Sequence, residues 1–191
     1  MEVPRVIERL RNNLSEQKKV DPVPDRFQGA AEAGVMILVR ATTAPCIALT
    51  VRSSHLSSHA GEVALPGGKR DSTDRSLAAA ALRETEEELG VPVIEIELLG
   101  QLPGLVSKHG LWVTPFVGIV QDQTIFQPNA GEVQTVFEVP LDWLKTDPRS
   151  STERLDRQGI VQWAPVYEYQ GHRIWGLTAL ILENLIAVGL A

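Results

Sequence analysis

Residues 68–91, which read GKRDSTDRSLAAAALRETEEELGV, carry the clearest structural pattern in the sequence. Four successive alanines, with good helix formers around them, predict a helix over residues 76–89. Gly90 and Pro92 follow the last helical residue, as is common at helix C-termini, and Asp74 is the candidate N-cap. The segment therefore predicts a stable helix that is entered from a glycine-containing loop.

The last turns of this helix are acidic. Glu84, Glu87 and Glu88 stand at positions i, i+3 and i+4, so their side chains leave one face of the helix, whereas Glu86 points elsewhere. Three like charges repel one another unless a cation lies among them, and carboxylate oxygens suit a hard divalent ion such as Mg²⁺ or Mn²⁺. The alternative is a solvated acidic helix end, because charge runs are common on exposed helices.

The residues before the helix favour the cation site. Residues 65–68 read Leu-Pro-Gly-Gly, a stiff turn followed by a flexible one. Paired glycines let the backbone approach a ligand closely. A Pro-Gly-Gly turn is common by itself, but followed at a fixed distance by three carboxylates it becomes specific.

The overall composition is that of an ordinary globular protein. The 191 residues are 43% hydrophobic and 22% charged, and their number fits a single domain over residues 1–191. With 18 Lys and Arg against 24 Asp and Glu, the formal net charge is −6, which argues against general nucleic-acid or membrane-surface binding. Apolar runs fall short of the roughly 20 residues that span a bilayer, and the N-terminus has no signal-peptide pattern. We expect a cytoplasmic protein, monomeric or homodimeric, without a membrane partner.

Hydrophobic periodicity places the other elements. Apolar residues at helical spacing predict an N-terminal helix over about residues 3–19 and a core-facing C-terminal helix over residues 177–188. Alternating or continuous apolar stretches predict strands and a final hairpin, at residues 33–40, 46–51, 94–102, 112–120, 136–139 and 167–175. Strands before and after the central helix indicate an α/β (α+β) sandwich rather than a regular βαβ series.

Residues 68–91 resemble the Nudix box, Gly-x5-Glu-x7-Arg-Glu-U-x-Glu-Glu-x-Gly-U, in which U is apolar. The second half matches as RETEEELGV, with Thr85 at the first U position. The first half is one residue longer than the pattern, and Asp74 or Asp71 is the nearest acid to replace the box glutamate that pairs with Arg83. The resemblance implies a Nudix-type fold, a mixed β-sheet sandwiched between helices.

A second stretch is similar to the signature of the coenzyme A pyrophosphatase subgroup, Leu-Leu-Thr-x-Arg-(Ser/Ala)-x3-Arg-x3-Gly-x3-Phe-Pro-Gly-Gly. Its spacing is kept from Ala48 to Gly68, although Ala48, Ser57 and Leu65 replace the first Leu, the second Arg and the Phe. The resemblance implies metal-dependent cleavage of coenzyme A, or of a derivative, to 3′,5′-ADP and 4′-phosphopantetheine. The missing arginine favours another nucleoside diphosphate derivative, such as ADP-ribose, a dinucleotide cofactor or a capped RNA end. A third alternative is a Nudix-fold binding module without hydrolysis.

The family resemblance also implies roles for individual residues. Glu84 and Glu88 are expected to be the principal ligands of Mg²⁺ or Mn²⁺, with Glu87 as a co-ligand or water-orienting group and the backbone carbonyl of Gly68 as a further ligand. The general base of Nudix enzymes comes from the box or from a later loop. Glu132, which precedes a predicted strand, is the candidate from a later loop.

A polyanionic substrate needs local cations in an acidic protein. Arg52 is the first candidate because a guanidinium can bind phosphate bidentately, and Lys69 and Arg70 follow. His109 can titrate near neutrality in a flexible-looking loop, and His55 and His59 lie beside the subgroup signature. Some residues are expected to be buried in the core instead: the lone cysteine, Cys46, and Trp112, Trp143, Trp163 and Trp175, which otherwise could stack on adenine.

Overall fold

The structure, a computed structural model, describes residues 5–16, 23–56 and 58–190. The predicted N-terminal helix is present as α1 (Arg5–Glu16), and the rest of its predicted range lies outside the described residues. The apolar stripe of α1, which contains Ile7, Leu10 and Leu14, is buried. None of the described helices is long and apolar enough to cross a membrane.

The described residues form strands and helices in a mixed order. The strands are β1 (Glu32–Ala41), β2 (Cys46–Arg52), β3 (Val63–Ala64), β4 (Gly67–Lys69), β5 (Glu97–Gln101), β6 (Leu105–Val106), β7 (Trp112–Gln121), β8 (Val133–Pro140), β9 (Arg149–Arg157), β10 (Ile160–Tyr169) and β11 (His172–Ile174). The other helices are α2 (Leu77–Leu89), α3 (Leu141–Lys145) and α4 (Gly176–Asn184), and a π-helical turn, Leu185–Gly189, extends α4. Short 3₁₀ turns occur at Asp25–Phe27 and Val93–Glu95.

Strands β1 to β8 form one mixed sheet around β1 and β7, which pair in parallel over their whole length. The other pairings of this sheet are antiparallel. The N-terminal part of β1 pairs with β4, and its C-terminal part pairs with β2. Since β2 also pairs with β3 and β8, the loops that follow β2 and precede β4 and β8 meet at one end of the sheet.

The side chains of β1 alternate between two apolar clusters, one on each face of the sheet. Ile37 and Val39 pack in the cluster that contains the apolar side chains of α1 and α4, whereas Met36 and Leu38 pack with those of α2. Successive strand residues point to opposite faces, so α1 and α4 cover one face and α2 covers the other. The predicted mixed sheet between helices is confirmed.

The second sheet is antiparallel and contains β9, β10 and β11. The predicted hairpin is confirmed as β10 and β11, whose turn places Gln170 and Gly171 at positive φ. Strand β9, RSSTERLDR, was not predicted because it lacks the apolar alternation of a half-buried strand. It is held by pairing with β10 instead.

The predicted burial of the tryptophans and Cys46 is confirmed only in part. Trp112 is buried in the core, and Trp143 and Trp175 are half-buried. The prediction is wrong for Trp163, which is 64% exposed because it lies on the outer face of β10. It is also wrong for Cys46, which begins β2 at the edge of the core and is only half-buried.

Candidate active site

Helix α2 begins at a serine rather than at the predicted N-cap. The Ser76 side chain accepts a hydrogen bond from the Ala79 N–H at 3.1 Å, which is the N-cap interaction. The prediction of Asp74 as N-cap is wrong because its carboxylate is already engaged. It accepts the Asp71 N–H at 2.8 Å and two hydrogen bonds from the Arg83 guanidinium.

The pairing of Asp74 with Arg83 fixes the loop before α2 to the helix. Arg83 Nε donates to Asp74 Oδ1 at 3.1 Å, and Nη2 donates to Oδ2 at 3.0 Å. These hydrogen bonds hold the pKa of the Asp74 carboxyl below its ordinary value. Of the two candidate acids, Asp74 therefore occupies the place of the box glutamate, whereas Asp71 caps its own turn by accepting from Thr73.

Three glycines bring α2, β1 and β4 into close contact. A Cβ on Gly34 would lie 2.3 Å from the Leu77 carbonyl oxygen, so α2 can pack on β1 only where a side chain is absent. Gly67 has a φ of +147° and lies against the Gly34 backbone. A Cβ on Gly68 would lie 2.4 Å from the carboxyl carbon of Glu84, so the Gly68 backbone directly adjoins this acidic side chain.

Three carboxylates converge beside these glycines. Glu84, Glu88 and Glu132 each place an oxygen so that the three oxygens lie within 4.8 Å of one another. Glu88 is buried, with 4% of its surface exposed, whereas Glu84 and Glu132 are half-buried. The spacing along the helix predicted the meeting of Glu84 and Glu88, and the loop before β8 supplies the third carboxylate.

Backbone hydrogen bonds bring Glu132 to the helix. The final carbonyl groups of α2 have no partner within the helix, and two of them accept from the loop between β7 and β8: Glu88 from the Asn129 N–H at 2.9 Å and Leu89 from the Gln127 N–H at 2.7 Å. The Glu132 carbonyl then accepts from the Ser53 N–H at 2.8 Å, which ties the same loop to the end of β2.

Burial makes the carboxylate cluster costly without a counter-charge. Burial raises the pKa of Glu88 to about 7, although a hydrogen bond from the Gly67 N–H and the charge of Arg52 act in the opposite direction. Burial also raises the pKa of Glu84, against the effect of Arg83. Neighbouring acids contribute to both increases.

The donor set of this cluster fits a hard divalent cation. Three carboxylates that are close enough to share one ion provide the oxygen ligands that Mg²⁺ and Mn²⁺ prefer. A cation among them would offset the repulsion and desolvation that raise the pKa of Glu84 and Glu88. The site can therefore hold a metal ion, with the Gly68 backbone beside it.

Glu87 lies outside this group of three among the described residues. Its side chain is 53% exposed, and its Oε2 accepts from Arg83 Nη1 at 3.1 Å. The helical spacing that joins Glu84 to Glu88 also admits Glu87, but Arg83 holds the Glu87 carboxylate at the solvent-facing side.

The three predicted substrate-binding cations have different surroundings. Arg52 Nη1 lies 3.9 Å from Glu88 Oε1, and Arg52 Nε is buried without a hydrogen-bond partner among the described residues. Lys69 is exposed. Arg70 Nη1 lies 3.6 Å from Glu32 Oε2, so its charge is partly balanced within the protein. Of these three cations, Arg52 is thus the one that lies beside a clustered carboxylate, and Arg83, which was not predicted to bind substrate, lies 3.0 Å from Glu84 Oε1.

The histidines singled out in the sequence lie in two loops, one between β2 and β3 and the other between β6 and β7. His55, His59 and His109 are exposed, and Ser57 lies outside the described residues. The rings of His59 and His109 are in contact, with centroids 5.8 Å apart, although about 50 residues separate them in the sequence. Nothing in the sequence indicated this pairing.

Fold and site together define the class of this protein. The NUDIX domain family matches residues 30–163, which include the whole first sheet, α2 and the three carboxylates. The chain belongs to the Nudix family. It is a Nudix hydrolase, of a class that acts on nucleoside diphosphate derivatives and generally uses divalent metal ions.

Particular relatives match most of the chain. "Uncharacterized Nudix hydrolase NudL" from Pectobacterium atrosepticum is 41% identical over 154 residues, which are 81% of this chain and 80% of the relative. The protein of the same name from Photorhabdus laumondii is 41% identical over 172 residues, covering 88% of this chain and 91% of the relative. A similar solved structure, the C. elegans Ap4A hydrolase in a binary complex, has a TM-score of 0.50 and 19% identity, over 58% of this chain and 80% of that chain. At that identity the likeness shows the fold alone.

Proposed function

We propose that this Nudix hydrolase cleaves the diphosphate of coenzyme A or its derivatives, giving 3′,5′-ADP and 4′-phosphopantetheine. The observation that carries the proposal is the meeting of two motifs. Arg52, from the stretch similar to the coenzyme A pyrophosphatase signature, lies 3.9 Å from Glu88 of the Nudix box. The residues expected to recognise the substrate are therefore next to those expected to hold the metal.

The proposed metal ligands are Glu84 and Glu88, with the Gly68 carbonyl as a further ligand. A bound Mg²⁺ or Mn²⁺ supplies charge neutralisation at the phosphate oxygens and favours attack by water. Glu132 is the proposed general base, because its carboxylate lies within 4.8 Å of the ligand oxygens but comes from a separate loop. Glu87 remains a proposed co-ligand or water-orienting group.

Arg52 is the proposed contact to the diphosphate. Its side chain is 27% exposed, and its Nε has no hydrogen-bond partner in the described part of the chain, so the guanidinium can still bind phosphate oxygens. Lys69 and Arg70 are proposed to add positive charge at the rim of the site, beside Gly68. Of the two, Arg70 contributes less, since Glu32 lies 3.6 Å away.

A substrate panel tests the proposed reaction. Coenzyme A, ADP-ribose, a dinucleotide cofactor and a capped RNA are incubated with the protein in Mg²⁺ and in Mn²⁺, and the products are separated chromatographically. Coenzyme A should yield the two products named above. Ser57 stands in place of the signature arginine, which favours a different substrate. Cleavage of ADP-ribose with no cleavage of coenzyme A would overturn the assignment. Binding without cleavage of any of these compounds would indicate a non-catalytic module.

A single substitution tests the proposed metal site. In Glu88→Gln the carboxylate is replaced by an amide of the same shape, so the fold should survive while kcat falls by about two orders of magnitude or more. Glu86→Gln is the matched control, because Glu86 is exposed on the same helix and should leave kcat unchanged. Near wild-type turnover in Glu88→Gln would show that the metal site is assigned wrongly.

A further inference from the structure

The three clustered carboxylates are not held in the same way. Glu84 Oε1 accepts from Arg83 Nη1 at 3.0 Å, and Glu88 Oε2 accepts from the Gly67 N–H at 3.3 Å. The Glu132 carboxylate accepts no hydrogen bond and forms no ion pair within the described part of the chain. Its place beside the other two carboxylates therefore depends on the main chain that carries it.

The main chain of Asn129 joins Glu132 to the acidic helix. The Asn129 N–H donates to the Glu88 carbonyl at 2.9 Å. The Asn129 carbonyl accepts from the N–H groups of Glu132 at 2.9 Å and Val133 at 2.8 Å. One residue thus makes hydrogen bonds both to a box glutamate and to the carboxylate residue of the later loop.

The side chain of Asn129 closes the turn that leads to Glu132. Its Oδ1 accepts from the Gly131 N–H at 3.0 Å, and a hydrogen bond of this kind, from a side chain to the main chain two residues later, is an Asx turn. It restrains residues 129–132 in the conformation in which the Glu132 N–H reaches the Asn129 carbonyl. A residue without a side-chain acceptor at position 129 removes this restraint.

We propose that Asn129 is a positioning residue, whose side chain fixes Glu132 against the metal site. The inference rests on the proposed function, in which Glu132 is the general base, and adds the residue on which the place of this base depends. Asn129 acts through Glu132 rather than on the metal ion. When its Oδ1 is lost, the turn loosens and the Glu132 carboxylate spends less time beside the oxygens of Glu84 and Glu88.

A double-mutant cycle on Mn²⁺ affinity tests the proposal without requiring turnover. Calorimetry measures Mn²⁺ binding to the wild type, Asn129→Ala, Glu132→Gln and the double variant. Glu132→Gln should weaken binding about tenfold, because it removes a negative charge close to the cation. Asn129→Ala should weaken binding about threefold to tenfold, the usual range for one hydrogen bond. Added to Glu132→Gln, however, Asn129→Ala should change the affinity by less than about twofold.

A conservative variant separates the acceptor from a general effect on the loop. Asn129→Asp keeps an oxygen that can accept from the Gly131 N–H, so it should bind Mn²⁺ at least as tightly as the wild type. It also adds a negative charge. Asn129→Ala/Gln127→Glu is the matched control, because it adds the same charge at an exposed position of the same loop without restoring the acceptor, and it should stay as weak as Asn129→Ala.

Several results would overturn the positioning role. These are wild-type Mn²⁺ affinity in Asn129→Ala, additive losses in the double variant, failure of Asn129→Asp to restore binding, or equal restoration by the Gln127→Glu control. Weaker binding in Asn129→Ala with no effect of Glu132→Gln would also refute it, since Asn129 would then act through another group. Non-additive losses in a protein that does not cleave coenzyme A would support the role of Asn129 and refute the coenzyme A assignment.

Discussion

Glu88 combines burial with an ionisable carboxyl group. It is the most buried of the three clustered carboxylates, and it is surrounded by a backbone N–H of Gly67 at 3.3 Å and by Arg52 at 3.9 Å. These two groups do not offset the cost of removing a carboxylate from water, because the pKa remains raised to about 7. Glu88 is therefore a residue that stabilises the protein only when a cation, or a proton, is bound.

This raised pKa predicts how stability depends on pH in the metal-free protein. Between its ordinary value of 4.5 and about 7, folded Glu88 holds a proton that unfolded Glu88 has lost, so the free energy of unfolding falls as the pH rises through this range. The contribution of Glu88 is about 3 kcal/mol at most. Urea unfolding at pH 5 and pH 8 in a chelator measures this decrease.

Glu88→Gln isolates the contribution of this one carboxyl group. The variant should lose less stability than the wild type between pH 5 and pH 8, because the amide does not titrate. Added Mn²⁺ should stabilise the wild type most at the higher pH, where Glu88 is ionised. Equal pH slopes for the two proteins would contradict the raised pKa.

At the scale of elements, the C-terminus of α2 determines the geometry of the site. Gly90 ends the helix at a φ of +66°, and the last carbonyl groups of the helix accept from the N–H groups of Gln127 and Asn129 in the loop before β8. The same loop carries Glu132. The carboxylate cluster is thus assembled from one helix and from the segment that caps it.

Substitution of Gly90 should therefore weaken metal binding as well as stability. In Gly90→Ala, the new Cβ would meet Gln127 at 2.9 Å in addition to the strain of a positive φ. We expect a loss of about 1–2 kcal/mol in the free energy of unfolding and a weaker affinity for Mn²⁺, measured by calorimetry.

Gly171→Ala provides the control for this variant. Gly171 has a φ of +79° in the turn between β10 and β11, and a Cβ there would meet nothing within 4 Å. It should lose stability from backbone strain while keeping its Mn²⁺ affinity. If both variants bind Mn²⁺ as tightly as the wild type, the contact of Gly90 with the loop before β8 does not control the metal site.

Across the whole molecule, elements defined by local sequence patterns were predictable, whereas contacts between residues far apart in the sequence were less so. The alanine run and Gly90 predicted α2, and the helical spacing brought Glu84 to Glu88. Glu132 was recognised as a candidate, but its approach depends on backbone hydrogen bonds of Gln127 and Asn129, which no side-chain pattern records. The contact of His59 with His109 is similarly unpredictable, because it follows from how two loops pack.

Charge is segregated over the molecule in a way that the net value conceals. The formal charge of −6 suggested a protein that avoids phosphates. The structure concentrates carboxylates at Glu84, Glu88 and Glu132, where a cation can reverse their effect, and it leaves the loops around His59 and His109 without acids. A polyanion is therefore compatible with this acidic chain where a cation offsets the clustered carboxylates.

The hydrogen bonds that hold the loop before β8 have a consequence for engineering. Gln127 and Asn129 bond the end of α2 through their main-chain N–H groups. The exposed side chains at positions 127, 128 and 130 can therefore be randomised in a library while the third carboxylate keeps its place, whereas Asn129 is retained because its Oδ1 accepts from the Gly131 N–H at 3.0 Å. Altered substrate preference can be sought there without rebuilding the proposed catalytic centre.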